Sequence, residues 1–191
     1  MSLKKYISKK IEMRSIRNLN KTITKYVSGK RVLDNGSARG SFIYEKHPEK
    51  DIYSMDINAN EVINKRAKEF KIADSTKLPY KKNEFDCVVF AGVIQYVKDY
   101  EKSIEEIKRV LKDNGKLIIA SVNRKSLFRR IGLINPMPKP EAGEYQIFSF
   151  KELKDLLKKH DFEIKQEKGV DFIPLPTQIC SNILIIAKNI K

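Results

Sequence analysis

Residues 31–40 read Arg-Val-Leu-Asp-Asn-Gly-Ser-Ala-Arg-Gly, and they carry the strongest indication of the fold. A short apolar run ends at Asp34, and two glycines follow at Gly36 and Gly40. This order predicts a buried strand, a tight turn and the start of a helix, because glycine permits backbone angles and close approaches that a side chain forbids. Small ligands bind where such strands end, at the carboxyl edge of a parallel sheet. The stretch therefore predicts an α/β fold and the place of its ligand site.

Strand and helix patterns alternate along the rest of the chain. Six further strands are predicted at 51–56, 71–74, 85–90, 116–122, 162–166 and 182–188. Helices are predicted at 41–47, 60–69, 100–111 and 149–160, the last with a capping box at its start. The alternation predicts a doubly wound, mostly parallel seven-stranded sheet, and the last two strands should form an antiparallel hairpin at one edge.

The length of 191 residues predicts a single domain, residues 1–191, with two special segments. Residues 1–29 predict a basic helical cap that ends near Gly29, with an apolar face of Ile16, Leu19, Ile23 and Val27. Residues 123–148 combine arginines with three prolines, which prevent a regular helix. An irregular stretch of this length inside a domain predicts a substrate lid.

The formal net charge is +15, and residues 1–31 hold ten basic side chains against the single acid Glu12. This charge predicts an anionic partner. Lysines far outnumber arginines, and arginine is favoured for bidentate nucleic-acid contacts, so we expect no sequence-specific nucleic acid. No apolar run approaches the roughly 20 residues of a membrane span, and the N-terminus lacks a signal-peptide core, so we expect a cytoplasmic protein.

The sequence offers little for metal or cysteine chemistry. Cys87 and Cys180 are isolated, and the two histidines, His47 and His160, lie in polar helical contexts. None of these residues has metal-ligand spacing, so we predict neither a metal site nor a disulfide framework.

Three acids close three successive predicted strands, at Asp34, Asp56 and Asp74. Because the ends of parallel strands lie side by side, we expect these acids to line one crevice. Asp56 follows Asp34 by 22 residues, close to the spacing of about 20 at which an acid reaches ribose hydroxyls in nucleoside-binding folds. An acid just before the turn would repel a pyrophosphate, so a nucleoside with a positive centre fits better than a dinucleotide.

These features resemble the class I S-adenosylmethionine-dependent methyltransferases, which have a Rossmann-like fold. The resemblance is to the small-molecule group that includes the ubiquinone and menaquinone biosynthesis methyltransferases. Its motifs are similar to residues 32–40, 73–80, 85–89 and 109–117 of this chain. The sequence departs from the family pattern at Ala38 and Asn114, where glycines are usual.

The resemblance implies S-adenosylmethionine as cofactor and S-adenosylhomocysteine as its product. It places Asp56 at the ribose, Ile57 beside the adenine and Asp74 near the adenine amine. The cofactor-binding residues that it implies are Asp34, Asn35, Gly36, Ser37, Gly40, Asp56, Ile57, Asp74, Ser75, Ala91 and Gly92. Tyr96, Asn123 and Tyr145, with Gln95 and Gln146, are candidates near the methyl group. Each of them suits a lid or packing contact better than a catalytic role, so no catalytic residue is identified.

Methyl transfer from a sulfonium needs alignment and desolvation, and it needs a base only if the acceptor arrives protonated. The expected function is transfer to a small molecule, for which the positive charge favours an anion. Three alternatives stay open: an RNA methyltransferase, a non-catalytic S-adenosylmethionine-binding protein, and an aminopropyl transferase. The first is opposed by residues 91–96, Ala-Gly-Val-Ile-Gln-Tyr, which lack the Asn/Asp-Pro-Pro-aromatic signature of nucleic-acid amine methylation.

Overall fold

The computed structural model describes residues 3–37, 41–58, 67–134 and 146–190. The strands are β1 Arg31–Asn35, β2 Asp51–Asp56, β3 Glu69–Ile72, β4 Phe85–Ala91, β5 Leu111–Val122, β6 Phe162–Val170 and β7 Asn182–Asn189. The α-helices are α1 Leu3–Thr24, α2 Tyr100–Val110, α3 Leu127–Arg130 and α4 Phe150–Lys159, with short 3₁₀ helices at Ile94–Tyr96 and Thr177–Ile179.

All seven strands form one sheet in the order β3-β2-β1-β4-β5-β7-β6. The first five strands are parallel, and β7 inserts antiparallel between β5 and β6. This confirms the predicted doubly wound sheet with its antiparallel C-terminal hairpin. The strand order reverses between β1 and β4, and a crevice opens at such a reversal, outside the carboxyl ends of the strands.

The core lies on both faces of the sheet. Residues 87–90 of β4 are fully buried, as expected of a central parallel strand covered on two sides. Apolar side chains of α2 and α4 pack on one face, in a cluster that includes Ile104 and Leu153. On the other face α1 contributes Leu19 and Ile23.

Helix α1 differs from its predicted form in two respects. It ends at Thr24, so Gly29 is not its cap but lies in the loop that leads to β1. Ile16, predicted to face the core, is 47% exposed. The inward position belongs to Ser15, whose Oγ accepts a hydrogen bond of 2.8 Å from Nδ2 of Asn182. A buried polar contact between α1 and β7 therefore sets the rotation of the helix.

Several predicted boundaries are also wrong. Residues 42–46 form turns and not a regular helix. Strand β3 begins at Glu69, which was predicted to be helical; residues 59–66 of that predicted helix lie outside the described part of the chain. Strand β6 is longer than predicted because it pairs with β7 along a polar stretch that apolar alternation does not mark. Strand β5 begins earlier than predicted, at Leu111 beside Phe85 of β4, while its pairing with β7 covers the predicted residues 116–122.

Helix α4 confirms the predicted capping box. The backbone N–H of Ser149 donates to Oε2 of Glu152 at 2.8 Å, and Oγ of Ser149 accepts from the backbone N–H of Glu152 at 3.4 Å. The helix leads into β6, and together they close the sheet edge opposite β3.

The predicted lid lies only partly within the described residues, since 135–145 fall outside them. Its described part contains α3 and a parallel bridge between Asn123 and Phe148. The lid stays a prediction. No helix in the described ranges has the length and apolar character needed to cross a membrane.

Candidate active site

A cavity of about 620 Å³ opens at the carboxyl ends of β1 to β4. This volume lies within the usual range of small-molecule sites. Its wall residues are Asn35, Gly36, Met55, Asp56, Ile57, Asn58, Ala73, Asp74, Ser75, Thr76, Gly92, Val93, Tyr96, Val97, Lys98 and Asp99. They follow four strand ends, so the sheet reversal brings four separate segments of chain to one place.

The turn after β1 is held tightly against β2. The backbone N–H groups of Gly36 and Ser37 both donate to the carbonyl oxygen of Met55, at 2.8 and 2.9 Å. Gly36 has φ +87°, and a Cβ placed there would lie 2.1 Å from Cγ2 of Val93. The turn thus requires glycine for its backbone angle and for the close approach of the segment after β4.

The polar groups on this wall include a buried hydrogen-bond donor of Asn35 that has no partner among the described residues. Oγ of Ser75 donates to Oδ1 of Asn35 at 2.8 Å, which fixes the orientation of the Asn35 amide. Nδ2 of Asn35 is buried and has no hydrogen-bond partner among the described residues. A buried donor without a partner is costly, so it marks a place where a ligand acceptor would be stabilised.

The residues after β2 and β3 present acids and an apolar surface. Asp56 is partly exposed, and its Oδ1 accepts from the backbone N–H of Asn58 at 3.0 Å. Ile57 beside it is 64% exposed, an apolar surface at the cavity. Oδ1 of Asp74 accepts from the backbone N–H and the hydroxyl of Thr76, at 2.7 and 2.8 Å.

Asp34 does not line the crevice as predicted. It lies within β1, is 3% exposed and is absent from the cavity wall. Burial raises the pKa of its carboxyl group to about 6, against a hydrogen bond from Ser41 that lowers it and the charge of Asp56 that raises it further. Of the three strand-end acids, only Asp56 and Asp74 face the cavity.

We expect Asp34→Asn to change the pH dependence of stability. The folded pKa of about 6 exceeds the ordinary value of 3.8, so the carboxyl ionises more readily in the unfolded chain and the wild type loses stability as pH rises through this interval. The two values correspond to about 3 kcal/mol. Relative to wild type, the variant should therefore gain up to about that amount between pH 3 and pH 7, measured by urea unfolding.

Asp86→Asn is a control in which stability relative to wild type should change with pH in the opposite direction. Although partial burial opposes it, hydrogen bonds from Lys112 and from the backbone N–H groups of Arg31 and Lys30 hold the pKa of its carboxyl below the ordinary value. Asp86→Asn should accordingly lose stability relative to wild type as pH rises. Parallel pH profiles for wild type and Asp34→Asn would contradict a raised Asp34 pKa.

A second cavity of about 330 Å³ adjoins the first. The two share Gly92 and Tyr96 as wall residues. The second is enclosed by α1, by the ends of β4 and β5, by α3 and by the start of β7. Its remaining wall residues are Glu12, Ser15, Ile16, Leu19, Asn20, Phe42, Ala91, Gln95, Ala120, Ser121, Val122, Arg129, Ile134, Ser181 and Asn182.

The remaining predicted cofactor-binding residues lie on a cavity wall, behind the first wall, or outside the described residues. Gly92 lies on both walls and Ala91 only on the wall of the second cavity. Ser37 is buried behind the first wall, with no hydrogen-bond partner for its hydroxyl among the described residues. Gly40 lies outside the described residues.

Among the candidates near the methyl group, Tyr96 is 52% exposed and lies at the junction of the cavities. Gln95 is buried; its Nε2 donates to the Gly92 carbonyl at 2.9 Å, and its Oε1 accepts from the Ser121 hydroxyl at 3.2 Å. Its amide therefore shapes the wall of the second cavity.

Asn123 lies on neither cavity wall. Its Nδ2 donates to the carbonyl oxygens of Gln178 and Cys180, and its Oδ1 accepts from the backbone N–H of Lys125. These hydrogen bonds hold the loop before β7. This position corrects the prediction that Asn123 lies near the methyl group. Gln146 lies in a separate depression beside α2 and α4. Tyr145 lies outside the described residues.

Sequence reasoning missed the contributions of α1 and α3 to the second cavity. Glu12 and Arg129 are more than a hundred residues apart and carry no motif, so no local signal could have found them. Within the described ranges, no cluster of three His, Cys, Asp or Glu side chains could hold a metal ion. Burial raises the pKa of both buried thiols, Cys87 and Cys180, to about 11.

Residues 7–167 match a family model described as a methyltransferase domain. This match covers most of the chain. The chain belongs to the methyltransferase domain family. This confirms the resemblance found in the motifs, and S-adenosylmethionine is the cofactor that the residues of the first cavity must fit.

Two curated relatives each match about half of this methyltransferase chain. An uncharacterized protein of Methanocaldococcus jannaschii is 40% identical over 99 residues, which are 51% of this chain and 43% of the relative. The ubiquinone/menaquinone biosynthesis C-methyltransferase of Pseudomonas paraeruginosa is 31% identical over 113 residues, 52% of this chain and 44% of the relative. The match thus spans about half the length of these relatives.

Solved structures share the fold over nearly the whole chain. The PH0226 protein of Pyrococcus horikoshii has a TM-score of 0.71 at 20% identity, covering 93% of this chain and 90% of that one. The 1,6-didemethyltoxoflavin-N1-methyltransferase of Burkholderia thailandensis has a TM-score of 0.70 at 16% identity, with 93% and 79% covered, and was solved with S-adenosylhomocysteine. At these identities the likeness concerns the fold.

The first cavity fits S-adenosylmethionine on observations of its own residues. The open Nδ2 of Asn35 offers a buried donor, and the partly exposed carboxylate of Asp56 can accept from two hydroxyl groups at once. Ile57 offers an apolar surface for a flat base. Gly36 keeps the turn free of a side chain where the ligand would approach the backbone.

Proposed function

We propose that this chain transfers a methyl group from S-adenosylmethionine to a small molecule bound in the second cavity. The observation that carries the proposal is the junction of the cavities, which share Gly92 and Tyr96. A cofactor in the first cavity would adjoin an acceptor in the second. The Burkholderia enzyme, which shares this fold, was solved with both a small molecule, 1,6-didemethyltoxoflavin, and S-adenosylhomocysteine bound.

In this proposal the cofactor is held by the ends of β1 to β3. Asp56 accepts from both ribose hydroxyls, a charge-assisted arrangement stronger than a neutral one. Ile57 packs on the adenine and Asp74 lies near the adenine amine. Asn35 donates from Nδ2 of its side-chain amide.

The reaction is a direct displacement. S-adenosylmethionine supplies a methyl carbon activated by the sulfonium; an acceptor lone pair forms the new bond as the carbon–sulfur bond breaks, and sulfur keeps the electron pair. The chain's own residues align the two reactants and exclude water. Gln95, fixed by Gly92 and Ser121, keeps the shared wall rigid, while Tyr96 covers the junction. A base is required only for an acceptor that arrives protonated.

The test uses S-adenosylmethionine labelled at the methyl group, incubated with a small-molecule extract and, separately, with RNA from the same cells. We expect label in the small-molecule fraction. Asn20→Phe should fill part of the second cavity and lower transfer by about tenfold or more, because small displacements of an aligned reactant are costly. Its affinity for S-adenosylhomocysteine, measured by calorimetry, should stay unchanged.

Lys21→Phe is the matched control, since Lys21 is the exposed neighbour of Asn20 on α1 and lies on neither cavity wall. It should keep wild-type transfer. Full transfer by Asn20→Phe would remove the second cavity as the acceptor site. Normal S-adenosylhomocysteine binding with no labelled product in either fraction would favour a non-catalytic binding protein.

An RNA methyltransferase is the second candidate, favoured by the exposed basic side chains of α1 and of the turn that follows it. These side chains are Lys9, Lys10, Arg14, Arg17, Lys21 and Lys25. Such a surface predicts salt-sensitive, sequence-independent binding. Methyl label in RNA, with binding to one fragment that survives moderate salt, would make this the better reading.

A further inference from the structure

The second cavity contains a guanidinium group that is largely withdrawn from water. Arg129 lies on its wall and is contributed by α3, the short helix after β5. Oγ of Ser126 accepts from the backbone N–H of Arg129 at 3.4 Å, which caps this helix. Next to it Phe128 is buried, with its ring centroid 4.7 Å from that of Phe172. The backbone that carries Arg129 is therefore anchored.

The surroundings of the Arg129 guanidinium strengthen its attraction for an anion. Burial lowers the pKa of Arg129, against the charges of Glu12, Tyr96 and Asp171, which raise it. Arginine nevertheless stays protonated in proteins, so the cavity holds a positive charge in a poorly hydrated place. A charge-assisted hydrogen bond there is stronger than one in water.

The carboxylates of Asp171 and Glu12 both act on the charge of Arg129, but they lie in different surroundings. Asp171 accepts from the backbone N–H groups of Phe172 and Ser181, at 2.9 and 2.8 Å, so its charge is already stabilised. Glu12 lies on the cavity wall itself, and its charge acts on Arg129. Glu12 therefore weakens the attraction of the cavity for an anion, and its removal should strengthen it.

The rest of the wall is apolar or neutral. Ile16, Leu19, Phe42 and Ile134 supply an apolar lining between α1 and the sheet. The cavity volume of about 330 Å³ lies at the lower end of the range for small-molecule sites, which favours a compact ligand.

We propose that the methyl acceptor is a small organic anion whose carboxylate or phosphate binds Arg129 and whose apolar body packs against Ile16, Phe42 and Ile134. The inference rests on the proposed function in placing the acceptor in the second cavity. It adds the chemical class of the acceptor and names Arg129 as the residue that selects it.

The experiment measures binding of benzoate, phenyl phosphate and benzamide to the full chain saturated with S-adenosylhomocysteine. Benzamide has the shape of benzoate without its charge. We expect the wild type to bind at least one of the anions about tenfold or more tightly than benzamide. The stronger of the two anions identifies the acid group as carboxylate or phosphate.

Three variants separate Arg129 from the general positive charge. Arg129→Gln should abolish the preference for the anions, while Arg130→Gln, a change at the exposed neighbour outside both cavities, should retain it. Glu12→Gln should tighten anion binding severalfold, a result that a merely structural role of Arg129 would not produce. It also keeps the proposal testable if Arg129→Gln folds poorly.

Three results would overturn the inference. Equal binding of benzoate, phenyl phosphate and benzamide, no binding of either anion, or a preference that survives in Arg129→Gln would each do so. Calorimetry with S-adenosylhomocysteine on the same samples distinguishes failure of this inference from failure of the proposed function. Normal cofactor-product binding without an anion preference defeats this inference alone, whereas absent cofactor-product binding defeats the proposed function.

Discussion

Asp56→Ala should weaken binding of S-adenosylhomocysteine by about 10- to 150-fold, corresponding to about 1.5–3 kcal/mol. The carboxylate lies at the end of β2 on the wall of the first cavity, and its Oδ1 accepts a hydrogen bond from the backbone N–H of Asn58. Without it, two ribose hydroxyls lose a charged acceptor. Titration calorimetry on the folded variant measures the change.

Asp51→Ala provides the control at the other end of the same strand. Asp51 begins β2 and forms an ion pair of 3.2 Å with Lys68, partly exposed and therefore of small effect on stability. Its S-adenosylhomocysteine affinity should equal that of wild type. Asp56→Asn, which keeps one acceptor oxygen, should lie between the two alanine variants. Wild-type affinity in folded Asp56→Ala would refute the ribose assignment.

Gly36→Ala should remove cofactor binding and lower the free energy of unfolding by about 2–5 kcal/mol. An alanine at φ +87° is strained, and its Cβ would lie 2.1 Å from Cγ2 of Val93. Because the turn is fixed to Met55 by two hydrogen bonds, relief requires movement of the segment after β4 and thus of the cavity wall. Denaturant unfolding and calorimetry measure the two effects.

Gly132 separates backbone strain from the clash. Its φ is +68°, and a Cβ added there meets nothing within 4 Å. Gly132→Ala should therefore cost only the strain, about 1–2 kcal/mol, and leave cofactor binding intact. Adding Val93→Ala to Gly36→Ala should restore part of the stability by removing the clashing methyl. Equal losses for Gly36→Ala and Gly132→Ala, with binding retained, would show that the approach of Val93 is unimportant.

The fold could be predicted because its signals are local. The apolar run of β4 marks a strand buried on both faces, and the pair Ser149 and Glu152 marks the start of α4 through contacts within one turn. Where the signal was weaker, the prediction was wrong. Residues 41–47 are predicted to form a helix, but residues 42–46 form turns. Strand β6 continues through polar residues because pairing with β7 satisfies its backbone.

The family and the segments that follow β1, β2 and β3 could be predicted from the sequence, because glycine turns and strand-end acids act over a few residues. Which of these acids face the cavity depends on how the strands and helices pack against one another. Asp34 lies one residue before the end of β1 and is covered by neighbouring elements, whereas Asp56 lies at the end of its strand.

The second cavity is likewise a product of tertiary structure. Ser15 is drawn inward by Asn182, which turns α1 so that Glu12 and Ile16 reach the same wall as Arg129. These residues come from three distant segments, and their approach depends on the packing of α1 and α3 beside β7. No spacing along the chain encodes that packing, since it arises from contacts between elements and not within them.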